Sequence, residues 1–173
     1  HNPRLMTAHF RLIEDIDLAD VRFSIIGNEI FRFSGIFDGN GHTISNFNYT
    51  SANISHTGLF GYIDGPYAEV KNLGLSNPNV VAVTEGYLHS IGSLVGHLEN
   101  GIISACYVNN GSVSGSERNS TGGLAGISNG TISDCSVACS VFGTSRVGGL
   151  AGSSQGIMAD CKFSGEVRGN DYV

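Results

Sequence analysis

The sequence predicts an all-β chain wound into a parallel β-solenoid, and three recurring phrases predict it. The first stands in one register four times, as Gly58-Leu59-Phe60-Gly61, Ser93-Leu94-Val95-Gly96, Gly123-Leu124-Ala125-Gly126 and Gly149-Leu150-Ala151-Gly152. These copies start 35, 30 and 26 residues apart (93−58, 123−93, 149−123). The second phrase follows each copy at a short offset: Val70-Lys71-Asn72-Leu73, Ile103-Ser104-Ala105-Cys106, Ile132-Ser133-Asp134-Cys135 and Met158-Ala159-Asp160-Cys161. The third closes the last three units, as Val113-Ser114-Gly115, Val141-Phe142-Gly143 and Val167-Arg168-Gly169. Periods of roughly 20 to 50 residues denote stacked units, none of which can bury its apolar face alone.

The phrases are short, rich in valine, isoleucine and glycine, and separated by Asn-Gly, Ser-Gly and Gly-Ser breaks, which is the language of strands and turns. No window sustains apolar residues at i, i+3, i+4 and i+7, which disfavours a helical repeat. Cys106-Tyr107-Val108, Cys135-Ser136-Val137 and Cys161-Lys162-Phe163 alternate as half-buried strands do. Each cysteine nevertheless lies three residues after an apolar Ile or Met, which breaks the alternation. A corner between two short strands lets both residues point inward.

Stacked coils sit about 4.8 Å apart, so equivalent positions form ladders. The expected ladders are Leu59–Leu94–Leu124–Leu150, Leu73–Cys106–Cys135–Cys161 and Val113–Val141–Val167. Wider spacing in the early units leaves room for loops such as Thr84-Glu85-Gly86-Tyr87. Residues 1–50 read as a lead-in strand and the first coils, and 51–173 as the repeats of one continuous solenoid. In the first part Asp15 and Asp17 share the strand face opposite Ile16 and Leu18. Phe37 and Ile44 bracket a turn in which Gly39-Asn40-Gly41 can take positive φ. The final phrase, Val167 to Val173, repeats the spacing of Val141 to Val147, after which another Gly-Gly-Leu-Ala-Gly is due; a slice truncated at its C-terminus is expected.

Composition narrows the function classes. Of 173 residues 25 are glycine, none is tryptophan and only 14% are charged, which suits closely packed coils. The net charge is −6 and the nine Lys and Arg residues do not cluster, so nucleic acid is not an expected partner. No apolar run is long enough to span a bilayer, so membrane insertion is not expected. The start at His1-Asn2-Pro3 reads as a cut or mature fragment. Three of the four cysteines share the position held by Leu73 in the first unit, so buried, reduced thiols are expected there. Adjacent rungs lie within disulfide reach, and Cys139, outside the ladder, has its own pairing open.

The candidate chemistry has simpler structural accounts. Asp134 and Asp160 should stack one coil apart, a separation that suits the paired carboxylates of a retaining glycosidase, about 5 to 5.5 Å, or oxygen ligands for Ca²⁺. Asn72 and Ala105 fill the same position in other units, so a corner role with a local Asx-turn is the favoured expectation. Asp15, Asp17 and Asp38 invite a calcium or lyase reading, yet turn and strand-edge roles suffice. The six histidines are scattered without a His-x-x-x-His pair, so no zinc site is expected. Gly111-Ser112-Val113-Ser114-Gly115 matches a nucleophile-elbow pattern but lacks the strand-turn-helix context. Tyr49, Tyr62, Tyr67, Tyr87 and Tyr107 are candidates for stacking on sugars, although no spacing aligns them. No catalytic, cofactor-binding or metal-ligating residue is therefore expected.

Phe10 to Leu18, Phe23-Ser24-Ile25-Ile26-Gly27 and Phe33-Ser34-Gly35-Ile36-Phe37-Asp38-Gly39-Asn40-Gly41-His42-Thr43-Ile44, taken with the Gly-Leu-x-Gly phrases, resemble the GLUG-motif repeat proteins. These are secreted and surface-attached bacterial proteins, and such repeats also occur in the immunoglobulin A1 metallopeptidase family. Ser93 stands where the family has glycine, and Leu73 where cysteine is common. The resemblance covers nearly the whole chain and implies a right-handed parallel β-helix and an extracellular or cell-surface location. It implies no catalytic residue. The expected role is structural or ligand-presenting, an adhesin segment contacting surface glycans or proteins. The alternatives are a carbohydrate-active β-helix enzyme or the accessory repeat region of a large extracellular metallopeptidase. An uncapped last coil should also favour end-to-end self-association.

Overall fold

The computed structural model describes residues 2–51, 54–83, 89–116 and 118–173. A one-turn helix, Pro3–Met6, opens the chain, with Asn2 accepting from the Arg4 amide as its N-cap. This turn was not legible in the repeat pattern; proline at the first helical position and the Asn cap account for it. Everything that follows is strand, corner or turn, wound into a parallel β-solenoid of four sheets. The right-handed sense is the one that parallel crossovers adopt.

Sheet 1 has six rungs: His9–Arg11, Ile36–Asp38, Glu69–Lys71, Ile102–Ser104, Thr131–Ser133 and Ile157–Ala159. Sheet 2 begins Ile16–Asp17, Thr43–Ser45, Gly74–Ser76 and Tyr107–Gly115, and continues with Ser136–Phe142 and Lys162–Arg168. Asn48–Ser51 and Asn79–Ala82 join it through the far half of Tyr107–Gly115. Sheet 3 stacks His56–Thr57, Ser90–Ile91, Ser120–Gly122 and Val147–Gly148. Sheet 4 stacks Phe60–Ile63, Val95–Leu98, Ala125–Ser128 and Ala151–Ser154. Every pairing is parallel.

The corner between sheets 1 and 2 explains the broken alternation. Asn40, Asn72, Ala105, Asp134 and Asp160 all take left-handed backbone, φ 50 to 54°. One such residue turns the chain, so Ile103 and Cys106, then Ile132 and Cys135, all face the interior. The left-handed conformation itself does this work. Among the described residues no Asx-turn bond from Asp134 or Asp160 accompanies it, which corrects the expected reason while keeping the corner. A second corner at Asn46 and Asn77 (φ 57° and 52°) becomes a bulge at Asn110, where the register with the next rung shifts between Asn109 and Gly111. Ser136–Phe142 then runs on as one straight strand.

The ladders occupy the core. Leu59, Leu94 and Leu124 are almost wholly buried, as are Val113 and Val141. Val80 extends the valine ladder one rung further, since it pairs in register with Val113. The early coils are lined instead by phenylalanines, with ring centroids 5.1 Å apart for Phe33–Phe60 and 5.4 Å for Phe37–Phe60. The glycine that ends each Gly-Leu-x-Gly phrase lets sheet 4 close against sheet 3. A Cβ on Gly126 would collide with the backbone of Ser90 and Ile91, and one on Gly152 with that of Ser120 and Thr121. At Ser93, the departure from glycine, the hydroxyl donates to the Gly123 carbonyl of the next coil.

Candidate functional site

The structure assembles a cluster of rings that residue spacing conceals. Tyr62 and His97 occupy equivalent outward positions on adjacent rungs of sheet 4. Their rings stack at 4.6 Å with an interplanar angle of 19°. His56, from the first rung of sheet 3, stands edge-on to both, at 4.9 and 5.1 Å. Segment 28–32 lies across the cluster: Arg32 places its guanidinium 4.8 Å from the Tyr62 ring centre. Its NH1 also donates to Asp64 at 2.5 Å. Tyr62 is therefore only 8% exposed and offers no sugar platform, contrary to the sequence expectation.

His56 is held at both ring nitrogens, by Ser90 Oγ at 2.6 Å on Nδ1 and Glu29 Oε1 at 3.0 Å on Nε2. A neutral ring satisfies both, with Nε2–H donating to Glu29 and Nδ1 accepting from the Ser90 hydroxyl. Burial and the neighbouring His97 push its pKa down to about 4, against the pull of Glu29. A serine, a histidine and a carboxylate in line suggest nucleophilic chemistry. Ser90 is wholly buried, however, so no substrate can reach its oxygen. The arrangement ties segment 28–32 to the second and third coils.

Beside this cluster, the turns from sheet 4 to sheet 1 form a shallow groove of about 490 Å³ along the stack. Its wall repeats the same elements on successive coils: Asn100-Gly101-Ile102, Asn129-Gly130-Thr131 and Gln155-Gly156-Ile157, with Pro66 on the coil before. A Cβ on Gly130 would come within 2.5 Å of the Gly101 carbonyl oxygen, so close stacking of the turns keeps the groove floor free of side chains. Asn100 donates to Asp64 at 2.7 Å, and Asn129 to Glu99 at 2.8 Å. Glu99 also meets His97 Nε2 at 3.0 Å, which links groove and ring cluster. The Asn129 amide and then His97 hold the Glu99 carboxyl below its usual range, as the Asn100 amide does for Asp64. Tyr67, next to Pro66, is 87% exposed.

Asp15, Asp17 and Asp38 serve turns and edges. Asp15 accepts from the Thr43 amide at 2.8 Å and meets His42 at 3.2 Å. Asp17 accepts from the Ala19 amide at 2.9 Å and from Asn46 at 2.8 Å. Asp38 accepts from the Asn40 amide at 2.8 Å and from Asn72 at 3.0 Å. These bonds hold all three carboxyls below the ordinary range. Among the described residues no group of three or more His, Cys, Asp or Glu could hold a metal ion. Gly111 to Gly115 lies within a strand of sheet 2, so the elbow-like pattern is a ladder segment. Tyr107 spends its hydroxyl on Thr43, at 2.7 Å. Tyr87 and the rest of the loop 84–87 lie outside the described residues.

All four cysteines are free. Each ladder thiol donates to the carbonyl two residues before it, at 3.3, 3.1 and 3.2 Å for Cys106, Cys135 and Cys161. Cys106 is pushed well up by its hydrogen bond with Cys135 and by burial. Burial raises Cys139 to about 11. These two are inert packing thiols at neutral pH.

No family model matches the chain, so its likeness to GLUG-motif repeats rests on the phrases themselves. The chain is 34% identical over 95 residues to a "Putative Gly-rich membrane protein" of Evansella cellulosilytica. That match covers 51% of this chain and 11% of the relative's length. Among solved structures, that of a "putative immunoglobulin A1 protease" from Bacteroides ovatus matches with a TM-score of 0.54 and 17% identity. It covers 94% of this chain and 70% of that one. At this identity the likeness establishes a shared fold.

Proposed function

We propose that the chain is a non-catalytic, ligand-presenting solenoid segment of a secreted or cell-surface bacterial protein, working as an adhesin. The observation that carries this reading is the unbroken register of parallel rungs, from His9–Arg11 to Ile157–Ala159 on sheet 1. Such a stack is a rigid scaffold that holds turns and loops at fixed spacing for contact with glycans or proteins. Catalysis would need convergent, accessible acids and bases. Asp15, Asp17 and Asp38 are engaged at turns and strand edges, Glu29, Glu69 and Glu99 are paired with neighbouring side chains, and the serine beside His56 is sealed. The Gly-rich membrane protein agrees with an envelope location. The Bacteroides ovatus neighbour, described as a protease, favours a second reading: a repeat region accompanying a peptidase domain in a larger protein.

A glycan array probed with the 173-residue chain, with and without calcium, tests the first reading. Reproducible binding supports a lectin-like adhesin, and a blank array in both conditions removes glycan presentation. Sedimentation across a concentration series tests the companion proposal of end-to-end association, since Leu150, Cys161 and Val167 on the last coil are only half-buried. A strictly monomeric profile at high concentration refutes it.

A further inference from the structure

Resting on the ligand-presenting reading, we infer that the groove over residues 100–102, 129–131 and 155–157 binds a neutral, extended glycan lying along the solenoid axis. Periodicity comes first. An amide, a glycine and a branched side chain recur on three successive coils, a step of about 4.8 Å, so one contact pattern is offered repeatedly to a polymer. Chemistry comes second. Asn100 and Asn129 each give one amide hydrogen to a carboxylate behind the groove, which orients the side chain and leaves its oxygen as an acceptor. Among the described residues the Gln155 side chain has no partner and can both donate and accept. Sugar hydroxyls need that mixture. Ile102 and Ile157 are 42% and 64% exposed, suited to the apolar C–H face of a pyranose ring, and Tyr67 adds an exposed aromatic face by Pro66.

Charge decides the class. Asp64 and Glu99 stand behind the amides, and Glu69 pairs in register beside Ile102. Among the described residues the nearby cations Arg32 and Lys71 are already paired with Asp64 and Glu69. The groove therefore repels uronate and sulfated chains. A peptide needs either a sheet edge or side-chain pockets; this groove crosses paired rungs and has a glycine floor.

Isothermal titration of the whole chain with cellohexaose, hexagalacturonate and hexaglycine tests the inference. Cellohexaose should bind at least tenfold more tightly than either other probe. Tyr67→Ala and the double variant Asn129→Ala/Gln155→Ala should each weaken it about tenfold, with far-UV circular dichroism unchanged. Equal or tighter binding of hexagalacturonate or hexaglycine overturns the assignment, as does failure of cellohexaose to bind. Array hits that survive the groove variants overturn the groove while leaving glycan presentation standing; a blank array removes both.

Discussion

The central coils and the last coil carry nearly the same phrases, yet bury them to different depths. Leu94 and Leu124 are 1% and 0% exposed, whereas Leu150, in the same phrase, is half-buried. Cys106 and Cys135 are sealed and Cys161 is not; Val113 and Val141 are sealed and Val167 is not. The difference does not lie in the residues themselves. A solenoid rung is covered by its neighbours on both sides, so burial belongs to the stack.

Truncation should expose this contrast most strongly. Leu124→Ala should cost about 3 to 5 kcal/mol, as a fully buried leucine does, and Leu150→Ala about 1 kcal/mol, measured by urea unfolding. Equal losses would mean that the last coil is covered in solution. Glycine substitution gives the next effect. Gly126→Ala drives a methyl into the backbone of the neighbouring sheet and should cost about 2 to 3 kcal/mol. Gly41→Ala meets nothing within 4 Å, but its φ of 82° should still cost about 1 kcal/mol.

Acid probes the opposite end of the stack. His56 has its folded pKa lowered to about 4 from 6.5, so its neutral form stabilises the fold above pH 6.5. That contribution fades as the pH falls from 6.5 through 4, on the order of 3 kcal/mol at about 1.4 kcal/mol per unit. Burial, His97 and His89 all disfavour the protonated ring, and Glu29 opposes them. His56→Gln should flatten this part of the pH–stability curve; an unchanged slope would place the acid sensitivity elsewhere. The smallest effect is kinetic. Under native conditions a thiol reagent should modify Cys161 first, with Cys106, Cys135 and Cys139 protected until unfolding, as read by mass spectrometry of timed samples.

The architecture was legible because each coil must reproduce its neighbour's contacts, and that constraint writes a period into the chain. Leucine, cysteine and valine recur where the interior needs them, and glycine where two sheets meet. The ring cluster was not legible. His56, Tyr62 and His97 are separated by 6 and 35 residues, and only the return of the chain one coil later brings Tyr62 and His97 together. Arg32 and Glu29 reach them from a segment outside the repeat. The groove was half legible, since Asn100-Gly101 and Asn129-Gly130 announce turns, but their alignment into one wall is a property of the stack. The expectation for Tyr62 failed because a sequence does not show that an arginine will lie over a tyrosine.

Parallel rungs also fix how this chain yields to force. The hydrogen bonds between coils point along the stack, and the first and last rungs of sheet 1 lie at its opposite ends. Tension between the termini therefore opens one row of bonds at a time, as a zipper opens, and does not shear many rows together. Each released coil pays out 26 to 35 residues, by the spacing of the Gly-Leu-x-Gly phrases. At about 3.5 Å per extended residue that is roughly 90 to 120 Å of slack. A chain built this way lengthens in steps under a steady pull, and its shortest step is set by the closely spaced late repeats.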